Sequence, residues 1–296
     1  MKWLEIEVLV KAQDQDVAGL ILSELTKRGV EIGSGCANRE SRPGLFLTEV
    51  VGIKGYLPIT AAAEVEELKA ALYPFSVGPI RVRELPETDW LLEWRRHYRT
   101  FKVGKRLVVS PPWEDYRPEP GELVIVLDPG MAFGCGTHPT TQLCLELLEK
   151  AVRPGDVVYD VGTGSGILAI AAAGLGAARV VAVDDDEVAV RVARENVALN
   201  GVEDAVTVRR GDLLRDLPEP ADVIVANIVA DVIISFAPEA AGHLRPGGYF
   251  IAGGIAAPRE AEVKAALEEH FNVWETLRRE EWVAVWSSSP RRSAGE

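Results

Sequence analysis

Val157-Val158-Tyr159-Asp160-Val161-Gly162-Thr163-Gly164-Ser165-Gly166 is an apolar run that ends in an acid and breaks into a turn with three alternating glycines. A parallel strand leaves its carboxyl end open. Glycine lets the backbone approach a ligand closely and reach φ values that other residues resist. The helix expected from about Ser165 to Leu175 would aim its free N–H groups at the same place. The dinucleotide fingerprint G-x-G-x-x-G does not fit, because counting from Gly162 its third glycine falls on Ile167. The spacing is D-x-G-x-G-x-G. Alone, such a turn would also serve as a tight strand-to-helix connection.

The next apolar run, Arg179 to Val183, is β-branched and ends in Asp184-Asp185-Asp186, with the first acid about 22 residues after Gly162. A carboxylate at that spacing in a doubly wound fold can accept both ribose hydroxyls. Asp185 and Asp186 suit capping of the helix that follows, Glu187 to Leu199. The two signals in order point to a cofactor that contains adenosine. The glycine spacing resembles the first motif of class I S-adenosylmethionine-dependent methyltransferases.

At 296 residues the chain suits two domains, and 47% apolar content supplies real cores. The net charge of −13 is unevenly spread: residues 1–86 hold 10 basic and 12 acidic groups, residues 87–119 hold 7 and 6, and residues 120–296 hold 15 and 27. An acidic second half disfavours sequence-independent nucleic-acid binding and attracts a cationic partner. Cys36, Cys135 and Cys144 form no C-x-x-C pair and join no histidine cluster, so no metal site is expected and a reducing cytoplasm fits. The opening M-K-W-L-E-I-E-V lacks the apolar core of a signal peptide. The longest apolar stretch, Ile167 to Val183, is interrupted by Gly174, Gly176 and Arg179, so no transmembrane segment is expected.

Leu4, Ile6, Val8 and Val10 alternate with Glu5, Glu7 and Leu9, the pattern of a strand with one buried face. A helix from Asp14 to Arg28 is expected next, then a short strand at Val30 to Ile32 and a stronger one from Leu45 to Leu57. A second helix follows at Thr60 to Leu72, with Val65, Leu68 and Leu72 on one face, and a strand at Ile80 to Leu85. The order βαββαβ predicts a ferredoxin-like unit over residues 1–86. Asp89 to Phe101, with Trp90, Trp94 and His97 at helical spacing, reads as a connecting helix in a linker of residues 87–119. Leu107 to Val109 and Leu123 to Leu127 read as short strands.

Leu127 to Thr141, L-D-P-G-M-A-F-G-C-G-T-H-P-T-T, reads as a shaped loop closing into a helix that runs to Ala151. This stretch resembles the D-P-G-x-A-F-G-T-G-x-H-x-T-T signature of the methyltransferases that modify large-subunit ribosomal protein eleven. It departs at Cys135, where that family usually has threonine. The resemblance extends from the N-terminal domain to the E-E-W-V-A-V-W strand near the end. It implies an α/β chain with a Rossmann-like class I methyltransferase sheet over residues 120–286 and a smaller N-terminal ferredoxin-like α+β domain that recognises the substrate. A disordered tail is expected at residues 287–296.

Further strands are expected at Ala205 to Val208, Asp222 to Ala226 and Gly247 to Ala252, then a helix from Arg259 to His270 and a closing antiparallel pair at Phe271 to Leu277 and Trp282 to Trp286. The fourth strand of the catalytic sheet ends in Asn227-Ile228-Val229-Ala230, similar to the N-I-L-A of the same family with Val229 as a mild departure. An asparagine at a strand end can accept N–H bonds from an amine and point its lone pair at a methyl group, or it can cap the following helix. The expected cofactor-binding residues are Phe133, Thr141, Asp160, Gly162, Gly164, Gly166, Asp184, Asp212 and Asn227, with Asn227 and Ile228 at the reacting centre. Thr141, Gly162, Asp184 and Asn227 match the family's cofactor-contacting positions by resemblance. Asp212, after the third strand, is expected to meet the adenine amino group or to serve an ordinary turn.

The resemblance implies S-adenosylmethionine as cofactor and methylation of that ribosomal protein at its α-amino group and lysine amines. A monomer without nucleic-acid or membrane partners is expected. An NAD(P)-dependent oxidoreductase is opposed by the glycine spacing. A base-flipping methyltransferase is opposed by the lack of an aromatic in N-I-V-A.

Overall fold

The computed structural model describes residues 2–11, 14, 17–19, 21–22, 31–33, 50–59, 65–86, 98–128, 134–215, 217 and 220–290. The chain forms two compact units, Met1–His97 and Tyr98–Glu296, so the boundary falls inside the segment read as a linker.

In the first unit, strands β1 (Lys2–Lys11), β2 (Glu31–Gly33), β3 (Val50–Pro58) and β4 (Arg81–Pro86) form an antiparallel sheet in the order β2-β3-β1-β4. The alternation in β1 works as read: Leu4, Ile6, Val8 and Val10 are buried with Val65, Leu68 and Leu72 of helix α1 (Val65–Leu72). On the other face, Glu5 and Glu7 lie opposite Arg83 and Arg81 in register, and Arg83 Nε stands 3.1 Å from Glu5. Of the expected helix from Asp14 to Arg28, Asp14 is in a 3-10 turn, residues 17–19 and 21–22 are helical and the rest lies outside the described residues. Trp90, Trp94 and His97 also lie outside them. Of the helix read from Asp89 to Phe101, residues 98–100 are not helical and Phe101 opens a strand.

The second unit begins with a three-stranded sheet of β5 (Phe101–Val103), β6 (Leu107–Ser110) and β7 (Leu123–Val126). After it come α2 (Pro139–Ala151), β8 (Val157–Val161), α3 (Ile167–Gly174), β9 (Arg179–Asp184), α4 (Glu187–Leu199) and β10 (Val206–Arg210). They continue with β11 (Ala221–Asn227), α5 (Ala230–His243), β12 (Leu244–Ala256), α6 (Glu260–Glu268), β13 (Asn272–Arg279) and β14 (Trp282–Ser288). The large sheet runs β10-β9-β8-β11-β12-β14-β13, with its first five strands parallel and β14 antiparallel to both neighbours. This is the expected Rossmann-like arrangement. The chain leaves β8 toward β9 and β10, then returns to the other side of β8 as β11. That reversal opens a crevice beyond the carboxyl ends of β8 and β11, where open α/β sheets bind ligands.

Both faces of β8, β9 and β11 are buried, which explains their continuous apolar runs, while the edge strand β10 leaves Thr207 and Arg210 exposed. On one face Tyr159, Ile224 and Phe250 pack against Ile233, Phe236 and Ala240 of α5, with the Phe236 and Phe250 rings 6.0 Å apart. The tail read from Ser287 starts later. Ser287, Ser288 and Ser289 are buried, because Ser289 Oγ donates to Arg245 O at 2.7 Å and accepts from Gly247 N at 3.0 Å. Short polar residues read as solvent-facing from sequence are here bonded to a neighbouring turn. Residues 291–296 lie outside the described residues.

Candidate active site at the strand reversal

The glycine turn is pinned to the second strand of the parallel sheet: Gly162 N and Thr163 N both donate to Val183 O, at 2.9 and 3.0 Å. Gly162, Gly164 and Gly166 all take positive φ, at 71°, 56° and 86°. Gly162 is also a point of close approach, since a Cβ there would lie 2.5 Å from Ile228 Cγ2. Asp160 is fully buried behind this turn. Its Oδ2 accepts from Thr163 Oγ1 at 2.6 Å and from Ala169 N at 3.0 Å, tying the turn to the start of α3. Its Oδ1 is buried without a hydrogen-bond partner among the described residues. Burial pushes the carboxyl up to about 7 against those two donors.

Asp184 and Asp186 divide the roles left open by the acid triplet. Asp186 caps α4 by accepting from Val188 N at 2.8 Å. Asp184 instead accepts from Gly164 N through Oδ2 at 2.9 Å and from Asp186 N through Oδ1 at 3.0 Å. Each oxygen keeps acceptor capacity for a further donor. Burial raises its pKa. Asp212 is exposed and pairs with Arg215 at 2.9 Å. Beside it, Leu213 holds φ 53°, unusual for a bulky residue, and nothing in the sequence signals that strain.

Asn196 of α4 and Asn200 at its C-terminal cap hold the approach to the second loop, and the sequence reading missed both. Asn196, almost fully buried, donates to Ser165 O at 2.9 Å and accepts from Asp128 N at 3.0 Å. Asn200 accepts from Val126 N at 2.8 Å and donates to Val126 O at 2.6 Å. Their signal was a spacing of four on one helix face. Ser165 Oγ donates to Gly134 O at 2.6 Å, so the two glycine-rich loops are directly joined. Phe133 lies outside the described residues. Cys135 is part-exposed, with Sγ 2.9 Å from Thr137 Oγ1. His138 is the N-cap of α2: Nδ1 accepts from Thr140 N at 3.3 Å and lies 2.8 Å from Thr140 Oγ1. Burial lowers its pKa, and its ring meets Trp282 edge-on at 5.0 Å.

Thr141, in the first turn of α2 and almost fully buried, accepts from Asn227 Nδ2 at 3.3 Å. Asn227 therefore does not cap α5, whose N-cap is Val229 without a side-chain bond. The Asn227 Oδ1 is buried and has no hydrogen-bond partner among the described residues. Ile228 is half-buried over Gly162, and Val229 is exposed. Thr141, Asp160, Gly162, Gly164, Gly166, Asp184 and Asn227 thus gather on the crevice or line the turn that forms it, while Asp212 stands apart with Arg215. The Asn227 oxygen, without a hydrogen-bond partner among the described residues, a turn closed to any side chain at Gly162 and the half-buried Asp184 carboxylate fit a ligand that carries hydroxyls and an amine.

The family model described as ribosomal protein L11 methyltransferase (PrmA) matches residues 2–289. The ribosomal protein L11 methyltransferase of Pelotomaculum thermopropionicum is 47% identical over 302 residues, covering 96% of this chain and 98% of that protein. That of Caldanaerobacter subterraneus subsp. tengcongensis is 44% identical, with the same coverages of 96% and 98%. Among solved structures, a ribosomal protein L11 methylase from Lactobacillus delbrueckii subsp. bulgaricus superposes with a TM-score of 0.62 at 38% identity, covering 66% of this chain and all of that one.

Proposed function

The chain belongs to the ribosomal protein L11 methyltransferase family, and from that premise we propose that it transfers methyl groups from S-adenosylmethionine to the α-amino and lysine ε-amino groups of ribosomal protein L11. The observation that carries the reading is the Asn227 carboxamide, fixed by Thr141 at the strand reversal and followed by the Ile228 that covers Gly162. When bound, S-adenosylmethionine supplies an electrophilic methyl on a sulfonium.

Asp184 accepts the ribose hydroxyls through the capacity its two backbone donors leave. Asp160 keeps the glycine turn in shape from behind, with Gly164 and Gly166 carrying the turn into α3. Asp212 pairs with Arg215 through Oδ2 and keeps its other oxygen for an adenine amino group. At the reacting end, the Asn227 side-chain oxygen and a neighbouring backbone carbonyl of Asn227 or Ile228 would accept the two N–H bonds of the incoming neutral amine and orient its lone pair. The bound cofactor would supply the methyl group and would leave as a thioether, while Asn227 and Ile228 would hold the amine in line with it. The amine enters neutral, its proton having gone to water. His138 is assigned to capping α2 through Nδ1, and the amine's proton goes to water without it.

The first unit docks the protein substrate, and the acidic second half attracts a basic ribosomal protein to a cytoplasmic monomer. The test is direct: incubate the purified chain with S-adenosylmethionine and ribosomal protein L11, then map modification by mass spectrometry of the intact and digested substrate. Methyl increments on the α-amine and on lysines are expected. Methylation confined to another ribosomal protein or to RNA would overturn the assignment.

A further inference from the structure

The strand that follows α5 is irregular where it passes the site. β12 runs parallel to β11 in unbroken register from Val223 opposite Tyr249 as far as Asn227 opposite Gly253. Against β14 it slips between Ala252 and Ile255, for Ala252 lies opposite Val285 and Ile255 opposite Val283. One extra residue on one strand is a β-bulge, and Gly254 carries it with φ 77°.

Turning a strand needs the positive φ but not a closed environment, and here both glycines are closed. A Cβ at Gly254 would collide with the Ile228 carbonyl oxygen and lie 3.0 Å from its carbon and 3.1 Å from the Ile228 nitrogen. A Cβ at Gly253 would collide with Cys144 Sγ and lie 3.1 Å from Asn227 Oδ1. Gly162 meets the Ile228 side chain at the same spacing that a clash requires, 2.5 Å from a Cβ to Cγ2. The Asn227-Ile228 peptide is thus pressed between the glycine turn and the bulge, with Thr141 holding the carboxamide.

We infer that the Gly253-Gly254 bulge is a positioning element for methyl transfer, with Gly254 setting the height of the Ile228 carbonyl and Gly253 the place of the Asn227 carboxamide. Both act through residues 227 and 228. The inference rests on the proposed function, and methylation of L11 by the unaltered protein, measured first, tests that reading separately.

The experiment compares Gly254→Ala with Gly201→Ala. Gly201 also has positive φ, 63°, but open space around its Cα, so its substitution imposes the backbone strain without a collision. Melting temperature, S-adenosylmethionine affinity by calorimetry and kcat on L11 are read for each. Gly254→Ala is expected to lower kcat on the order of 10²-fold while cofactor affinity changes by less than about threefold. Gly201→Ala is expected to lower the melting temperature and keep kcat. Should Gly254→Ala not fold, Gly253→Ala combined with Cys144→Ala clears the thiol and leaves only the contact with Asn227 Oδ1. That double variant is expected to lose about tenfold in kcat relative to Cys144→Ala alone. Full kcat in the folded Gly254→Ala or in the double variant, or a fall in kcat matched by an equal fall in cofactor affinity, would overturn the inference.

Discussion

Asn227 Nδ2 donates to Thr141 Oγ1 at 3.3 Å, joining the end of β11 to the first turn of α2. The bond decides which way the carboxamide faces, and it places the oxygen beside Gly253. Thr141→Val keeps the side-chain shape but removes the acceptor, leaving a donor unpaired at a cost of about 1–3 kcal/mol. Weaker cofactor binding and a kcat lower by about tenfold are expected, with both restored in Thr141→Ser. Isothermal calorimetry and methylation rates on the three proteins check this; equal values for Thr141→Val and the unaltered chain would remove the bond from the site's function.

Asp184→Ala removes a half-buried carboxylate that holds Gly164 N and Asp186 N. A loss of roughly 1.5–3 kcal/mol in S-adenosylmethionine binding is expected from the missing charge-assisted acceptor. Because Asp186 caps α4 independently, the fold should survive with a lower melting temperature. Unchanged cofactor affinity would show that Asp184 only shapes the turn.

Asp160 gives a pH signature. Its carboxyl is pushed up to about 7 in the folded chain from an ordinary value of 3.8. A raised folded-state pKa contributes stability that is complete below the unfolded value and is lost as pH rises through the folded one. Asp160→Asn stays uncharged across that window. The stability of Asp160→Asn relative to the unaltered chain should therefore rise between about pH 4 and pH 7, by on the order of a few kcal/mol at about 1.4 kcal/mol per unit. Urea unfolding of both proteins across that range checks it, and a constant difference would mean that Asp160 is charged throughout.

The Rossmann-like sheet was legible because parallel strands buried on both faces leave continuous apolar runs, and because the glycine turn and the acid after β9 stand at a spacing that only a strand–turn–helix explains. Asp184 and Asn227 could be read for the same reason: both end strands. The links between loops were not legible. Asn196, Ser165 and Thr141 bond to partners distant in sequence, and an amphipathic helix shows such residues only as polar positions on an apolar face. The burial of Ser287 to Ser289 was missed because serine follows its backbone partners, which tertiary packing supplies. The bulge at Gly254 was missed because two glycines in a strand carry no sign of which residue slips.

His138 tests the absence of an enzymatic base. As the cap of α2 it should contribute about 1 kcal/mol to stability, so His138→Ala lowers the melting temperature. Its folded pKa is lowered by burial, so protonation on acidification destabilises the fold as pH drops below its ordinary range. The rate profile should depend on the substrate amine alone, with kcat/KM rising about tenfold per pH unit below the amine's pKa, near ~8 for an α-amine and ~10.4 for lysine. An enzyme-derived inflection near ~6.5 that vanishes in His138→Ala would assign the proton to this histidine.

Methyl transfer by Asn227→Ala under single-turnover conditions, with S-adenosylmethionine and ribosomal protein L11 both saturating, bears most directly on the proposed chemistry. A rate lower by on the order of 10²-fold is expected, with cofactor affinity reduced far less, because the carboxamide and the strand end it belongs to orient the amine lone pair toward the methyl carbon. A rate equal to that of the unaltered chain, or a loss wholly recovered by raising the cofactor concentration, would contradict it.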